Sequence, residues 1–275
     1  MSLENQETKI GNRLVLSLEQ LVPGLKTDGL IQNEELESDK PINLDSVCAG
    51  TDLDLRSLIK GEFFRQPRTR QYYDFKTIPE LIRKLLPPGE IVVDLGSGTN
   101  MTPYAFSCRA GAAGYIAVDT NYAKSMYERL SERTRTDRLE YDTNLPASHD
   151  NQNHNQDEKN IVDLKAIPFA VVRRDIIDFL KKLPADSVSV NVSGRVSESV
   201  NVSGRVSEEE DSQELAKLIY KVLKPQTGRI ITCSAWQLLD ELDRMTKNGK
   251  LTQYLNIPNP NSRTSVFGKS VLGEK

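Results

Sequence analysis

One run of residues restricts the fold more than any other part of the chain. Residues 90–100 read EIVVDLGSGTN: a β-branched apolar stretch, then Asp94, then two glycines, Gly96 and Gly98. Such an apolar stretch is typical of a strand buried on both faces of a parallel sheet. Glycine is needed where a chain turns tightly, adopts a positive φ angle or brings its backbone against a ligand. A buried strand that leads through such a turn into a helix forms the ligand crevice of doubly wound α/β folds, so the run predicts that crevice here.

The spacing of the glycines separates two versions of this turn. The dinucleotide version has a third glycine three positions after the second, where this chain has Met101. The acid two residues before the first glycine instead resembles motif I of the class I S-adenosylmethionine-dependent methyltransferases. That family usually has a third glycine where Asn100 stands, and Asn is, after glycine, the residue that best tolerates left-handed backbone. The resemblance implies a set of contacts to S-adenosyl-L-methionine in this turn: Asp94, Gly96, Ser97 and Gly98.

Two further apolar runs end in an acidic residue. Residues 114–119 read as a second buried strand ending in Asp119, about 20 residues beyond the glycines, the distance at which a βαβ unit returns a carboxylate to a ribose. A third strand ends in Asp175. A helix cap is the alternative role for either acid. The resemblance implies ribose contacts for Asp119 with Thr120, and adenine contacts for Asp175 with the backbone of Ile176.

The order of the remaining elements predicts the fold class. Helices and strands alternate after the glycine turn, and the last two strands pair across an Asn/Pro-rich loop. An antiparallel hairpin that closes an otherwise parallel sheet is the C-terminal signature of the resembled family, and the resemblance spans residues 76–272. It implies an α/β three-layer sandwich with a mostly parallel seven-stranded sheet and a C-terminal antiparallel hairpin.

The residues before this core form a separate part of the predicted domain organisation. We predict a mainly helical N-terminal appendage over residues 1–66, which serves either as packing or as a lid, and a Rossmann-like S-adenosylmethionine-binding domain over residues 67–275. Tyr73 stands where several small-molecule methyltransferases carry a tyrosine that closes over the cofactor, so the resemblance adds it to the site. A packing role is the alternative for this aromatic side chain.

A ten-residue segment occurs twice. Residues 189–198 read SVNVSGRVSE, and residues 199–208 repeat the same letters. Because ten is even, both copies present the same side chains to the same faces of a strand. We expect the first copy to form the fourth strand, with Ser193 at its tip in the site, and the second to lie beside the substrate mouth. A duplication without a role is the alternative.

Composition limits the partners. The 36 basic and 39 acidic residues give a net charge of −3 and a pI near 5.6, which gives no support for a broad polyanion-binding face. We therefore expect no nucleic-acid partner. The chain has no apolar run near the ~20 residues of a membrane helix, and it begins without the pattern of a secretory signal. Three scattered cysteines indicate reduced thiols and a cytoplasmic protein.

The polar segment of residues 140–160 contains both histidines, His149 and His154. A metal site needs rigid ligands with supporting contacts, and this segment lacks the apolar residues that would provide them. We therefore predict a surface loop and no metal.

The sequence thus predicts an S-adenosylmethionine-dependent methyltransferase that acts on a small molecule or a protein side chain. It names no catalytic base. Two alternatives stay open: another enzyme on the same core, either aminopropyl-transferring or nicotinamide-dependent, and a catalytically silent protein that binds the cofactor or a partner.

Overall fold

The fold is described from a computed structural model, which covers residues 13–37, 86–99, 101–142, 161–193, 208–233, 236–259 and 262–270. Its strands are β1 (Ile31–Gln32), β2 (Ile91–Leu95), β3 (Gly114–Asp119), β4 (Arg138–Asp142), β5 (Ile161–Lys165), β6 (Phe169–Arg173), β7 (Ser189–Ser193), β8 (Ile230–Cys233), β9 (Leu251–Asn259) and β10 (Ser262–Lys269). Its helices are α1 (Leu18–Leu21), α2 (Thr102–Ala110), α3 (Ala123–Arg133), α4 (Ile176–Lys182), α5 (Glu208–Val222) and α6 (Trp236–Lys247), with a 3-10 helix at Asn33–Glu37.

Within these residues, one sheet has the order β1-β6-β3-β2-β7-β8-β10-β9. The five strands from β6 to β8 are parallel, β10 runs antiparallel to β8, and β9 pairs antiparallel with β10. The predicted α/β architecture and its closing hairpin are therefore confirmed. The sheet has eight strands rather than the seven predicted, because β1 pairs antiparallel with the outer edge of β6.

Apolar side chains cover both faces of this sheet. Val93 and Leu95 of β2 belong to a core that also contains residues of α1, α4, α5 and α6. On the other face, Val92 packs in a core with residues of α2 and α3. A parallel strand buried on both faces requires a nearly continuous apolar run, and β2 and β3 have one. Helix α2 follows the glycine turn and connects β2 to β3, with Pro103 in its first turn.

The charged pattern of residues 121–139 predicts a single helix, which is longer than the helix in the structure. In the structure, α3 begins at Ala123 and ends at Arg133. Asp137 adopts a left-handed φ of 57°, and Arg138 begins β4, which pairs antiparallel with β5. The sequence does not predict this turn, because no glycine or proline marks it. The rest of the predicted polar loop, residues 143–160 with both histidines, lies outside the described residues.

Residues 13–37 pack against the sheet. The backbone N–H of Leu16 donates to the carbonyl of Phe169, and the N–H of Phe169 donates to the carbonyl of Leu14. With β1, these bonds cover the edge strand β6, which would otherwise offer unpaired backbone groups. The division at residue 66 stays a prediction, since residues 38–85 lie outside the described part. No helix among the described residues has the length and apolar character needed to cross a membrane.

Asn33 joins the N-terminal segment to β6. Its φ is 50°, its amide nitrogen donates to the carbonyl of Leu16 at 2.8 Å, and its amide oxygen accepts the N–H of Val171 at 3.0 Å. The residue is 4% exposed. Both the conformation and the side-chain bonds therefore suit Asn, which tolerates left-handed backbone and carries a donor and an acceptor.

Replacing Asn33 with Gly should lower the free energy of unfolding by about 2–3 kcal/mol, because a buried N–H of β6 loses its acceptor. Asn33→Ala should cost about 1 kcal/mol more, since it adds the strain of a left-handed Cβ. Urea unfolding measures both, with the exposed Glu34→Ala as the control. Wild-type stability in Asn33→Gly would contradict this role.

Candidate cofactor-binding site

The candidate site lies where the strand order of the sheet reverses, between β2 and β7. Chain connections leave β2 in one direction, toward β3 and β6, and continue from β7 in the other direction, toward β8. Ligands of open α/β sheets bind outside the carboxyl ends of the strands at such a reversal point. The glycine turn predicted from the sequence follows β2 at this place.

Both predicted glycines adopt left-handed backbone, with φ angles of 67° at Gly96 and 54° at Gly98. The N–H groups of Gly96 and Ser97 both donate to the carbonyl of Val118, at 2.9 and 3.2 Å. These bonds fasten the turn to the end of β3. The structure thus explains why glycine is found at both positions: a side chain at either one would be strained.

Asp119 connects this turn to the following helix. Its carboxylate is 8% exposed and accepts three backbone N–H groups, from Gly98 at 3.0 Å, Asn121 at 2.7 Å and Tyr122 at 2.8 Å. The N-cap of α3 is Tyr122, so Asp119 caps the turn that leads into the helix rather than the helix itself. A carboxylate offers about four acceptor positions, so one position on Oδ2 remains for a ligand. The adjacent Thr120 is exposed.

Asp175 also has a cap role. It is the N-cap of α4, and its Oδ1 accepts the N–H groups of Ile177 and Asp178 at 2.9 and 3.2 Å. Its Oδ2 has no hydrogen-bond partner within the described part of the chain. The side chain of Ile176 is buried in the core, as its place in the first turn of α4 requires. One carboxylate oxygen of Asp175 is therefore available to a donor.

Asp94 is held inside the sheet. It is 1% exposed, and its two oxygens accept the hydroxyl of Tyr115 at 2.5 Å and the amide of Asn191 at 2.7 Å. Burial raises the pKa of Asp94 to about 7; the two hydrogen bonds oppose that rise and the charge of Asp119 adds to it. Burial also raises the pKa of Tyr115, with the charge of Asp94 acting in the same direction, so Tyr115 stays a donor.

The three predicted acids come to the same edge of the sheet. Asp94 is the penultimate residue of β2, Asp119 ends β3, and Asp175 follows β6 by two residues, on three neighbouring strands. Ser193 ends β7 at that edge as well. Tyr73 lies outside the described residues, as does Asn100 in the glycine turn, so the assignment of Tyr73 to the site stays a prediction.

The sequence reasoning missed two residues near the turn. Asn191 pairs in register with Asp94 across β2 and β7, and it is the only amide in β7. That single amide within an alternating Ser/Val strand was the available signal. Arg129 of α3 donates to the carbonyl of Thr99 at 2.6 Å. No sequence signal marks it, because it is one of several charged residues on α3.

The polar groups at this edge suit an adenosyl group. Ribose hydroxyls and an adenine amino group are donors, and Asp119 and Asp175 keep acceptor positions for them. Ser97 is 5% exposed, and its hydroxyl has no partner within the described part, which is rare for a buried polar atom. The glycine turn supplies bare backbone at the same place. The residues present therefore fit S-adenosylmethionine.

Comparison with known proteins gives likenesses of fold. No family model matches the chain, and no curated protein matches it. One similar solved structure is a ribosomal protein L11 methylase from Lactobacillus delbrueckii subsp. bulgaricus, which is 12% identical in sequence. The match covers 73% of this chain and 80% of the methylase chain, with a TM-score of 0.42. Another is a TehB-like SAM-dependent methyltransferase from Corynebacterium glutamicum, 13% identical, with coverages of 79% and 100% and a TM-score of 0.42.

A third similar structure is a precorrin 8W decarboxylase from Methanobacterium thermoautotrophicum, 17% identical, with coverages of 71% and 90% and a TM-score of 0.40. At these identities and TM-scores, the likenesses carry no argument about the reaction. The order of the sheet and the position of the turn define the class by themselves. The protein is an α/β protein with a Rossmann-like core and a glycine turn at its reversal point.

The raised pKa of Asp94 predicts a pH-dependent stability. The folded chain keeps the proton of Asp94 up to about pH 7, whereas the unfolded chain loses it near the ordinary aspartate pKa of 3.8. The folded state thus binds more protons in this window, and the free energy of unfolding should fall as pH rises through it, by up to about 4 kcal/mol.

Asp94→Asn keeps the shape of the side chain and removes this titration. The stability of the wild type relative to Asp94→Asn, from urea unfolding at pH 5, 6, 7 and 8, should therefore decline up to about pH 7 and then level off. A difference that stays constant with pH would show that Asp94 does not titrate in this range.

Proposed function

We propose that this protein is an S-adenosylmethionine-dependent methyltransferase whose acceptor is a small molecule or a protein side chain. One observation carries the proposal: a turn with two left-handed glycines, tied to the carboxylate of Asp119, stands at the reversal point of the sheet. Such turns allow close approach of a ligand to the backbone. The resemblance of the sequence to motif I supports the same cofactor.

The chain's own residues would hold the cofactor as follows. The remaining acceptor position of Asp119 would take one ribose hydroxyl, and Oδ2 of Asp175 would take the adenine amino group. The hydroxyl of Ser97 would gain the partner it lacks. Arg129 would keep the turn in place through the carbonyl of Thr99. The bound cofactor supplies a methyl group on a positively charged sulfur, which a nucleophile of the acceptor removes.

This chemistry depends on positioning. A methyl transfer needs an in-line approach and a site from which water is excluded, more than it needs covalent help from the protein. Asp94 is not offered to the acceptor as a base, because it is buried in the sheet with both oxygens bonded. Ser193, at the carboxyl end of β7, is the best-placed residue for the acceptor side.

The acceptor class rests on charge and on absent motifs. The pI near 5.6 does not favour nucleic acid. The strand predicted as the fourth, which is β7 in the structure, also lacks two sequences. These are the Asn/Asp-Pro-Pro-aromatic and Pro-Cys sequences with which relatives of the resembled family methylate bases. A small molecule or a protein side chain is the acceptor that fits both observations.

A second candidate function is a cofactor-binding protein without catalysis. The observation that favours it is the use of Asp94 and Asp119 in hydrogen bonds within the protein, which leaves no acid–base residue assigned among the described residues. Aminopropyl transfer and nicotinamide chemistry are the other enzymatic alternatives on this core.

Two measurements separate these functions. Calorimetric titration with S-adenosylmethionine, S-adenosylhomocysteine and NAD should show binding of the two adenosyl ligands and none of NAD. Formation of S-adenosylhomocysteine should follow when small molecules and peptides are offered as acceptors. Preferential binding of NAD would overturn the proposal, and binding without product across the acceptors would favour the silent protein.

Asp175→Asn gives a sharp test of the adenine contact. Asn is as good an N-cap as Asp, so α4 should keep its stability, but the available oxygen becomes a donor. Binding of S-adenosylhomocysteine should weaken by about tenfold, as expected for loss of one charge-assisted bond. The control is an unchanged urea midpoint, and an unchanged dissociation constant would remove Asp175 from the site.

Asp119→Ala should also weaken binding of S-adenosylhomocysteine, by at least several-fold. It removes the ribose acceptor and releases the N–H of Gly98 from the turn. Asp119→Asn keeps an acceptor oxygen and should lose less affinity. Equal affinities of the wild type and Asp119→Ala would show that Asp119 has only its cap role.

A further inference from the structure

The duplicated segment meets the sheet at its centre. The five residues Ser189–Ser193 of the first copy form β7, which lies between β2 and β8. The first five residues of the second copy, 199–203, have the same letters. Residues 194–207 lie outside the described part, and α5 begins at Glu208, the last residue of the second copy.

The described side-chain contacts of β7 are made by residues that the second copy also has. Val190 and Val192 are fully buried in the core. The amide of Asn191 donates to Asp94 at 2.7 Å, and the hydroxyl of Ser189 donates to Glu90 at 3.3 Å and accepts the N–H of Arg229 at 2.9 Å. The two copies begin ten residues apart, which is an even number. Replacing one copy by the other in the sheet therefore keeps each side chain on the same face of the strand.

We propose that the second copy is a substitute for β7, so that either copy can complete the sheet. With the first copy in place, 14 residues (194–207) connect β7 to α5. With the second copy in place, four residues (204–207) would remain, which lies within the usual range of about 2–6 residues for such connections. The ten surplus residues would then belong to the connection between α4 and the amino end of the strand.

One residue outside the repeat selects the first copy. Val188 precedes β7, is fully buried, and forms a bridge with Leu223. The residue that precedes the second copy is Glu198. A carboxylate in that apolar position is unfavourable, so the first copy is favoured and the second becomes populated when the first is damaged. This inference does not depend on the reaction proposed above.

The experiment damages one copy at a time. Val190→Asp places a charge in the core at β7, Val200→Asp makes the same change in the second copy, and the double variant changes both. A chain lacking residues 199–208 has only one copy, and Val190→Asp in that background is the matched control. Urea unfolding reports cooperative folding, and hydrogen exchange with mass spectrometry reports which copy is protected.

Val200→Asp alone should unfold like the wild type. Val190→Asp alone should keep a cooperative transition at a lower urea midpoint, with protection moved from residues 189–193 to residues 199–203; the substitution itself distinguishes the copies by mass. The double variant, and Val190→Asp in the single-copy chain, should both lose the transition. The proposal is overturned if Val190→Asp alone also loses it, if protection does not move, or if Val200→Asp is equally damaging.

Discussion

A buried carboxyl group connects the three central strands, and the candidate site is built above it. Asp94 of β2 accepts a hydrogen bond from Tyr115 of β3 and another from Asn191 of β7. Inside an apolar sheet, a polar group without partners is costly, whereas a fully bonded one fixes the arrangement of its neighbours. This group therefore specifies how β3 and β7 stand beside β2 at the point where the strand order reverses.

The turn above this group depends on the same register. Because β3 lies beside β2, the carbonyl of Val118 reaches two N–H groups of the turn, and the carboxylate of Asp119 reaches a third. The acids at this edge thus have two tasks. They hold the backbone in its shape, and they keep only a few acceptor positions for a ligand. A site formed in this way is organised before any ligand binds, which favours positioning as its contribution to a reaction.

The sequence predicted the elements that a local signal marks. The apolar runs of β2 and β3, the left-handed glycines and the final hairpin all follow from composition and spacing over a few residues. It also favoured the first copy of the repeat for the fourth strand, and β7 is formed by that copy. The predicted end of the second helix, at residue 139, was wrong because the turn at Asp137 has no glycine or proline. The eighth strand was missed because β1 has only two residues, too few for a pattern.

The acids at the edge of the sheet show where sequence reasoning stops. A strand that ends in Asp predicts a carboxylate at this edge, and parallel strands bring such residues together. How many oxygens remain for a ligand depends on which N–H groups turn toward each carboxylate, and only the folded chain decides that. Asn191 and Arg129 were missed for the same reason, because their hydrogen-bond partners lie on distant segments of the chain. By itself the sequence determined the class of fold and the place of the site, through local backbone preferences; the tertiary structure decided which polar groups are already bonded.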